Sequence, residues 1–147
     1  LFSVGDQSLM CVICLGKCEA QRTNAKNPPR RRHELASLLS EYSLKECDWP
    51  DWITEAMHKA HIAPSGVNKQ GWTFTVTKAD GGEKWTIQVN EKPDCGIAEF
   101  ASLDTGIAAA HLALSLAARK PTVVVDVIPG GGWENRGLGH WTIEISE

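Results

Sequence analysis

The stretch from Ala60 to Phe74, which reads A-H-I-A-P-S-G-V-N-K-Q-G-W-T-F, carries residues that could hold a ligand. Pro64 fixes the backbone, while Ser65 and Gly66 allow a close approach to exposed main-chain N–H groups. Asn68 offers both a donor and an acceptor. A segment of this kind can hydrogen-bond a flat heteroaromatic ring. The residues alone leave a second interpretation open, which is a turn that ends a helix and binds nothing.

The only concentrated basic stretch is Arg30, Arg31, Arg32 and His33. The chain as a whole has a formal net charge of −3, which gives no long-range attraction for nucleic acid or for an anionic membrane. We therefore expect no nucleic-acid partner and no membrane partner. If the basic cluster binds an anion, we expect a small one.

Cysteine and histidine patterns give weaker indications of a site. Residues 11–18, C-V-I-C-L-G-K-C, contain a CxxC spacing, but structural zinc would need a second pair of ligands and none follows. Cys11 and Cys14 lie in an apolar run, which favours small buried side chains on a strand over a metal or redox site. His58 and His61 could share a helix face, but no partner ligands can be placed. We predict no metal, and the five cysteines suit a reducing compartment.

Hydrophobic periodicity predicts the elements that position these residues. A helix with Asp48 as its N-cap and Pro50 in its first turn is expected to stop near Ala63, because Pro64 disfavours helical geometry in the residue before it. The apolar positions of that helix are Ile53, Ala56, Met57 and Ala60. The other predicted elements are a buried strand over residues 9–15, a loop over 19–30, a short helix or turn over 34–42, a hairpin of strands 73–77 and 85–89 with its turn at 80–82, a strand over 121–128, a Gly-rich loop over 129–139 and a strand over 141–145.

The strongest helix prediction covers Leu103 to Ala118. One apolar stripe is formed by Leu103, Ile107, Ala110, Leu114 and Ala117, and it is extended by Leu112, Ala113 and Leu116. We therefore expect this helix to be buried on most sides, with His111 as a core histidine.

The length of the chain and the order of its predicted elements indicate the fold class. A chain of 147 residues forms one ordinary core, and helices interspersed among hairpin strands predict an α+β fold, with helices packed on a mainly antiparallel sheet. Dinucleotide, Walker A, HExxH and GxSxG patterns are absent. No apolar run reaches the roughly 20 residues needed to span a bilayer. We expect a cytoplasmic protein.

The A-P-S stretch closely resembles the motif of the FMN-dependent nitroreductase family, in which a helix ending in A-P-S is followed by a small residue, Asn, Gln and Trp before a strand. The matching residues are Ala63, Pro64, Ser65, Asn68, Gln70 and Trp72. One departure is Gly71, where many members carry proline. Two further segments are similar to the family: residues 103–118 resemble its central helix, and residues 9–38 resemble a strand followed by the basic residues that meet the FMN phosphate.

The resemblance implies a nitroreductase-like layered fold and an oxidoreductase that takes hydride from NAD(P)H on FMN. The electrons would pass to a nitroaromatic, a quinone or a similar small aromatic acceptor. It implies cofactor contacts from Arg30, Arg32, Pro64, Ser65, Gly66 and Asn68. Guanidinium groups suit the phosphate because they donate bidentate, charge-assisted hydrogen bonds. No protein acid or base is implied, so the catalytic residues stay unassigned.

The order of the segments resembles the subgroup in which one chain carries two related halves and imitates the family's usual dimer. Residues 1–147 would then be a single nitroreductase-like domain from the C-terminal part of a longer chain. The family's early Arg-x-Ser-x-Arg segment is not found here, so an upstream segment or a partner chain would complete the flavin site. The alternative is a degenerate half-domain that binds a flavin-like ligand or dimerises through the Ala-rich helix without turnover. A third possibility is a specialised flavin enzyme of the same fold, such as a dehalogenase or a flavin-destroying enzyme.

Overall fold

A computed structural model describes residues 31–79, 81, 84–92, 98–120, 122, 124–130 and 139–146. The predicted strand at 9–15, the loop at 19–30, the CxxC spacing and Arg30 lie outside the described residues. Most of the predicted Gly-rich loop and of the hairpin turn also lies outside them.

Two α-helices and four strands make up the described fold, and their types agree with the sequence predictions. They are α1 (Asp51–His61), β1 (Trp72–Lys78), β2 (Lys84–Glu91), α2 (Ala98–Arg119), β3 (Val124–Pro129) and β4 (His140–Ser146). Three single 3-10 turns, at Leu35–Leu38, Glu46–Asp48 and Gly66–Asn68, lie before β1. The first of them falls within the predicted short helix or turn.

The four strands form one antiparallel sheet in the order β1-β2-β4-β3. The predicted hairpin is confirmed, with Trp72 opposite Glu91 and Lys78 opposite Trp85. The chain before α1 also runs along β1, where the backbone N–H of Leu44 donates to the carbonyl of Val76 at 2.8 Å. The α+β class and the mainly antiparallel sheet are therefore as predicted.

The core lies between one face of this sheet and the two helices. Strand register aligns the buried positions, since Phe74 faces Val89 and Ile87 faces Ile143 across neighbouring strands. Strand side chains alternate between the two faces, so these residues form one apolar layer. Helix α2 packs on this layer and against α1, whose buried positions, the predicted Ile53, Ala56, Met57 and Ala60, belong to the same apolar core. Helix α1 ends just before Ala63, where the candidate site begins.

The predicted N-cap of α1 is wrong. Asp48 ends the 3-10 turn Glu46–Asp48, and the N-cap position is taken by Pro50, without a side-chain cap bond. The carbonyl of Pro50 accepts from the N–H groups of Ile53 at 2.9 Å and Thr54 at 3.1 Å. The reason is steric, because a residue before proline is driven out of helical geometry, and Trp49 is accordingly extended.

The predicted buried stripe of α2 is also wrong. Leu103 is 43% exposed, Leu114 is 71% exposed, and Ala110 and Ala117 are exposed. Among residues 101–119 of α2, the buried ones are Asp104, Thr105, Ala108, Ala109, Leu112 and Leu116, so only Leu112 and Leu116 of the predicted apolar positions are fully buried. His111 is half-buried rather than a core residue. Periodicity cannot identify the buried face of a helix that is apolar around most of its surface. In α2 the buried face carries the small side chains of Ala108 and Ala109, which allow close packing.

By length and composition alone, the segment Ala101–Arg119 of α2 is long and apolar enough to cross a membrane. Core helices of globular proteins can be equally long and apolar, and α2 packs against α1 and the sheet.

Candidate functional site

After the A-P-S motif the chain forms a turn with an unusual backbone, here called the A-P-S turn and defined as Ser65 to Gln70. After α1 ends at His61, the chain makes the 3-10 turn Gly66–Asn68, in which Val67 has a φ of 45° and Asn68 a φ of 61°. Gln70 follows with a φ of 52°. Left-handed geometry is uncommon outside glycine and is a genuine outlier for a β-branched residue such as Val67. Strain of this kind persists only where neighbouring groups enforce it, and it concentrates at functional sites.

Hydrogen bonds within the turn close it upon Ser65. The carbonyl of Ser65 accepts the N–H of Asn68 at 3.0 Å, and its hydroxyl Oγ accepts the N–H of Gln70 at 2.9 Å. A third bond joins the N–H of Lys69 to the carbonyl of Gly66 at 3.0 Å. Ser65 is thus an organising residue of the turn, and its hydroxyl is engaged inside it.

The basic segment, defined here as Arg31 to His33, lies directly against this turn. The Nη1 atom of Arg32 donates to the carbonyl of Ala63 at 2.9 Å, and Nδ2 of Asn68 donates to the carbonyl of Arg31 at 2.9 Å. The ring Nε2 of His61, at the end of α1, also meets the carbonyl of His33. The basic cluster and the A-P-S motif are therefore brought together, about 30 residues apart in sequence.

Gln70 connects the two segments through its buried side chain, which is only 2% exposed. Its Oε1 accepts the backbone N–H of His33 at 2.9 Å, and its Nε2 donates to the carbonyls of Arg31 at 3.3 Å and Asn68 at 3.2 Å. A buried amide is stabilising only when both of its ends are paired, as here. The bridge fixes the basic segment and the turn in one arrangement.

A cleft of about 560 Å³ opens between the basic segment and the turn. Its lining residues are Arg31, Arg32, His33, Glu34, Ser37, Asn68 and Gln70. The amide of Gln70 and one N–H of Asn68 are already bonded within the protein, so the guanidinium groups of Arg31 and Arg32 supply most of the donors that a ligand could use, against the single carboxylate of Glu34. Arginine binds phosphate through its planar, paired N–H groups, so the cleft suits a small anion.

Asp104 supports the turn from α2. The residue is 6% exposed, and both of its carboxylate oxygens accept the backbone N–H of Gly66 at 3.0 Å. Burial raises the pKa of Asp104 above its ordinary value, and the bond from Gly66 opposes that rise in part. The sequence predicted an exposed main-chain N–H at Gly66, but this group is bonded within the protein.

Of the six predicted cofactor residues, Arg32 and Asn68 line the cleft, whereas Pro64, Ser65 and Gly66 lie in the adjoining segment without lining it. Arg30 lies outside the described residues. Sequence reasoning did not select Arg31, His33, Gln70 or Asp104 as site residues. For Asp104 a signal was present, since an acidic residue interrupts a long apolar helix and must be paired if it is buried.

Among the described candidates, His61 contacts the basic segment, whereas His58 and Cys47 do not line the cleft. His58 pairs with Glu46 at 3.1 Å on the exposed surface, and Cys47 is a free, exposed thiol. Within the part of the chain that the structure describes, no three His, Cys, Asp or Glu side chains cluster so as to hold a metal ion.

The described architecture is similar to that of a protein of known structure. A solved structure described as "a putative nitroreductase" from Thermotoga maritima matches with a TM-score of 0.53 at 18% sequence identity, covering 80% of this chain and 43% of that chain. That likeness shows the fold and confirms the nitroreductase-like layered architecture. The chain spans less than half the length of that protein. No curated protein matches the chain.

The family model described as "Putative TM nitroreductase" matches residues 3–116, which include the basic segment, the A-P-S turn and most of α2. The match covers well over half of the chain. The chain therefore belongs to this nitroreductase family.

Proposed function

We propose that this chain is part of an FMN-dependent NAD(P)H oxidoreductase of the nitroreductase type. Membership of the family supports a general oxidoreductase role. The observation that carries the finer proposal is the bonding of the basic segment to the A-P-S turn, which assembles a donor-rich cleft. A phosphate-bearing heteroaromatic cofactor such as FMN matches those donors.

The proposed contacts follow the chemistry of each residue. Arg32 uses one of its five N–H donors on the carbonyl of Ala63, which leaves others for the phosphate of FMN, and Arg30 is proposed beside it. Pro64, Ser65, Gly66 and Asn68 form the surface proposed to meet the isoalloxazine ring or the ribityl chain. When bound, FMN would accept hydride from NAD(P)H and deliver electrons to a nitroaromatic, quinone or similar acceptor. The protein orients the cofactor and shapes the acceptor pocket.

The complete flavin site is proposed to need more than these residues. This chain covers 43% of the length of the similar Thermotoga maritima protein, which agrees with a chain built from two related halves. An upstream segment or a partner chain would then supply the rest of the site, and the assembly would imitate a dimer. A cytoplasmic location without nucleic-acid or membrane partners remains part of the proposal.

The test is an absorption spectrum of the purified native full-length protein, before and after anaerobic addition of NADPH or NADH. Bound flavin gives visible absorption bands, and we expect them to bleach when either nicotinamide is added. A colourless protein that takes up no added FMN would refute the proposal.

Variants then connect the spectrum to the cleft. Arg32→Ala should weaken FMN binding at least tenfold, since a charge-assisted bond contributes roughly 1.5–3 kcal/mol. Lys59→Ala is the matched control, because it removes one positive charge from an exposed position on α1. Equal FMN affinity in the two variants would count against a phosphate site at Arg32.

A second candidate function is a half-domain that dimerises without turnover. The observation that favours it is the exposed apolar face of α2, where Leu103 and Leu114 are 43% and 71% exposed. Faces of this kind commonly mark interaction sites. A stable dimer without nicotinamide-dependent bleaching would support this candidate over the enzyme.

A further inference from the structure

We propose that Asp104 is a positioning residue, whose carboxylate on α2 holds the Ser65–Gln70 turn in the geometry that the cleft requires. The proposal rests on the proposed function only where it concerns FMN. The positioning itself is a property of the protein and can be measured without a ligand.

The first support is the geometry of the contact. Both carboxylate oxygens of Asp104 lie 3.0 Å from the backbone nitrogen of Gly66, and the side chain is 6% exposed. A buried charge of this kind is costly unless it is hydrogen-bonded, and a charged acceptor forms a stronger bond than a neutral one. The contact joins the second turn of α2 to the centre of the A-P-S motif.

The second support is the strain in the segment that this bond holds. Gly66 is followed at once by Val67 and Asn68, both of which have a positive φ. Positive φ at Val67 is unfavourable, and its side chain is 85% exposed, so packing of the side chain does not enforce the conformation. The Gly66 bond is thus among the contacts that do so, together with those made by Ser65 and Gln70.

The consequence reaches the cleft through Asn68 and Gln70. Both residues bond the carbonyl of Arg31, so a shift of the turn would displace the basic segment as well. Asp104 is not among the residues that line the cleft. It therefore acts through the turn and does not itself touch a ligand.

The variants are Asp104→Ala, which removes both acceptors, and Asp104→Asn, which keeps the shape but replaces one accepting oxygen with a donor. Asp126→Asn is the matched control, since it makes the same change at an exposed position on β3. The measurements on the full-length protein are amide exchange at Gly66, the unfolding temperature and the dissociation constant for added FMN.

We expect Gly66 exchange to accelerate at least tenfold in Asp104→Asn, and the FMN dissociation constant to rise about tenfold, as loss of one charge-assisted bond implies. Because burial of the ionised carboxylate opposes folding, Asp104→Asn should unfold at a temperature no lower than that of the wild type. A merely structural role would lower the unfolding temperature and FMN affinity together. Asp104→Ala should show the same exchange effect, and if it does not fold, Asp104→Asn decides.

Unchanged Gly66 exchange in both variants would overturn the positioning role, and so would FMN affinity within twofold of the control when the wild type binds FMN. If the wild type takes up no FMN but Gly66 exchange still accelerates, the proposed function fails and the positioning of the turn stands.

Discussion

Replacement of Gln70 tests whether one buried amide holds the basic segment and the A-P-S turn together. Gln70→Ala removes three side-chain hydrogen bonds, to the N–H of His33 and to the carbonyls of Arg31 and Asn68. A typical intramolecular bond contributes a net 1 kcal/mol or so, and the 3.3 Å contact to Arg31 is the weakest of the three. Two of the released groups keep a partner or meet water, because Asn68 still bonds the Arg31 carbonyl and His33 is exposed, and the third belongs to the half-buried Asn68.

We therefore expect Gln70→Ala to lower the free energy of unfolding by about 2–3 kcal/mol, through lost bonds rather than stranded polar groups. For a domain of this size that corresponds to a fall of roughly 4–12 °C in the unfolding temperature. Gln70→Met keeps most of the side-chain volume but none of the three bonds, so it separates packing from hydrogen bonding. Gln88→Ala is the control, since Gln88 is a half-buried glutamine on β2, away from the cleft.

The assay is urea unfolding followed by tryptophan fluorescence, together with amide exchange at His33. Gln70→Ala and Gln70→Met should both destabilise the protein and expose the His33 amide, whereas Gln88→Ala should do neither. The reasoning is refuted if Gln70→Met matches the wild type in stability and in His33 exchange. In that case the side-chain hydrogen bonds of Gln70 would not contribute to stability, and other contacts would hold the basic segment in place.

Three further changes test the turn, its support and the orientation of α2. Val67→Gly should raise the free energy of unfolding by about 0.5–1 kcal/mol, because glycine adopts the φ of 45° without strain. The control Val127→Gly in β3 should lower the free energy of unfolding, and the denaturation midpoints of the two variants measure both effects. The pKa of Asp104 is raised in the folded state, so folding favours the protonated carboxyl group. The wild type should therefore lose stability relative to Asp104→Asn as the pH rises from 3.8, the ordinary pKa of the carboxyl group, through the raised pKa. Unfolding temperatures of the pair from pH 3 to pH 7 measure this, and a constant difference would contradict it. Leu116→Ala should cost about 2–5 kcal/mol as a fully buried truncation, whereas Leu114→Ala, at 71% exposure, should cost under about 0.5 kcal/mol; the reverse order in chemical denaturation would mean that α2 faces the other way.

The sequence determined the type of each described helix and strand and the position of the turn after α1, because those signals are local. Period-2 alternation predicted the hairpin of β1 and β2, and the i, i+3, i+4, i+7 spacing predicted the buried face of α1. Pro64 fixed the end of that helix, and the motif that follows identified the turn. None of these conclusions requires knowledge of which distant segments meet.

Only the tertiary structure decided which face of α2 is buried and what holds the turn. Periodicity could not orient a helix that is apolar on most sides, so Leu112, Leu114 and Leu116 were all predicted to be buried, although Leu114 is 71% exposed. The bonds from Asp104 to Gly66 and from Gln70 to His33 join residues 38 and 37 positions apart. Contacts at such separations depend on how helices and sheet pack, and for that reason the partners of the turn, and the burial that raises the pKa of Asp104, were not readable from local sequence.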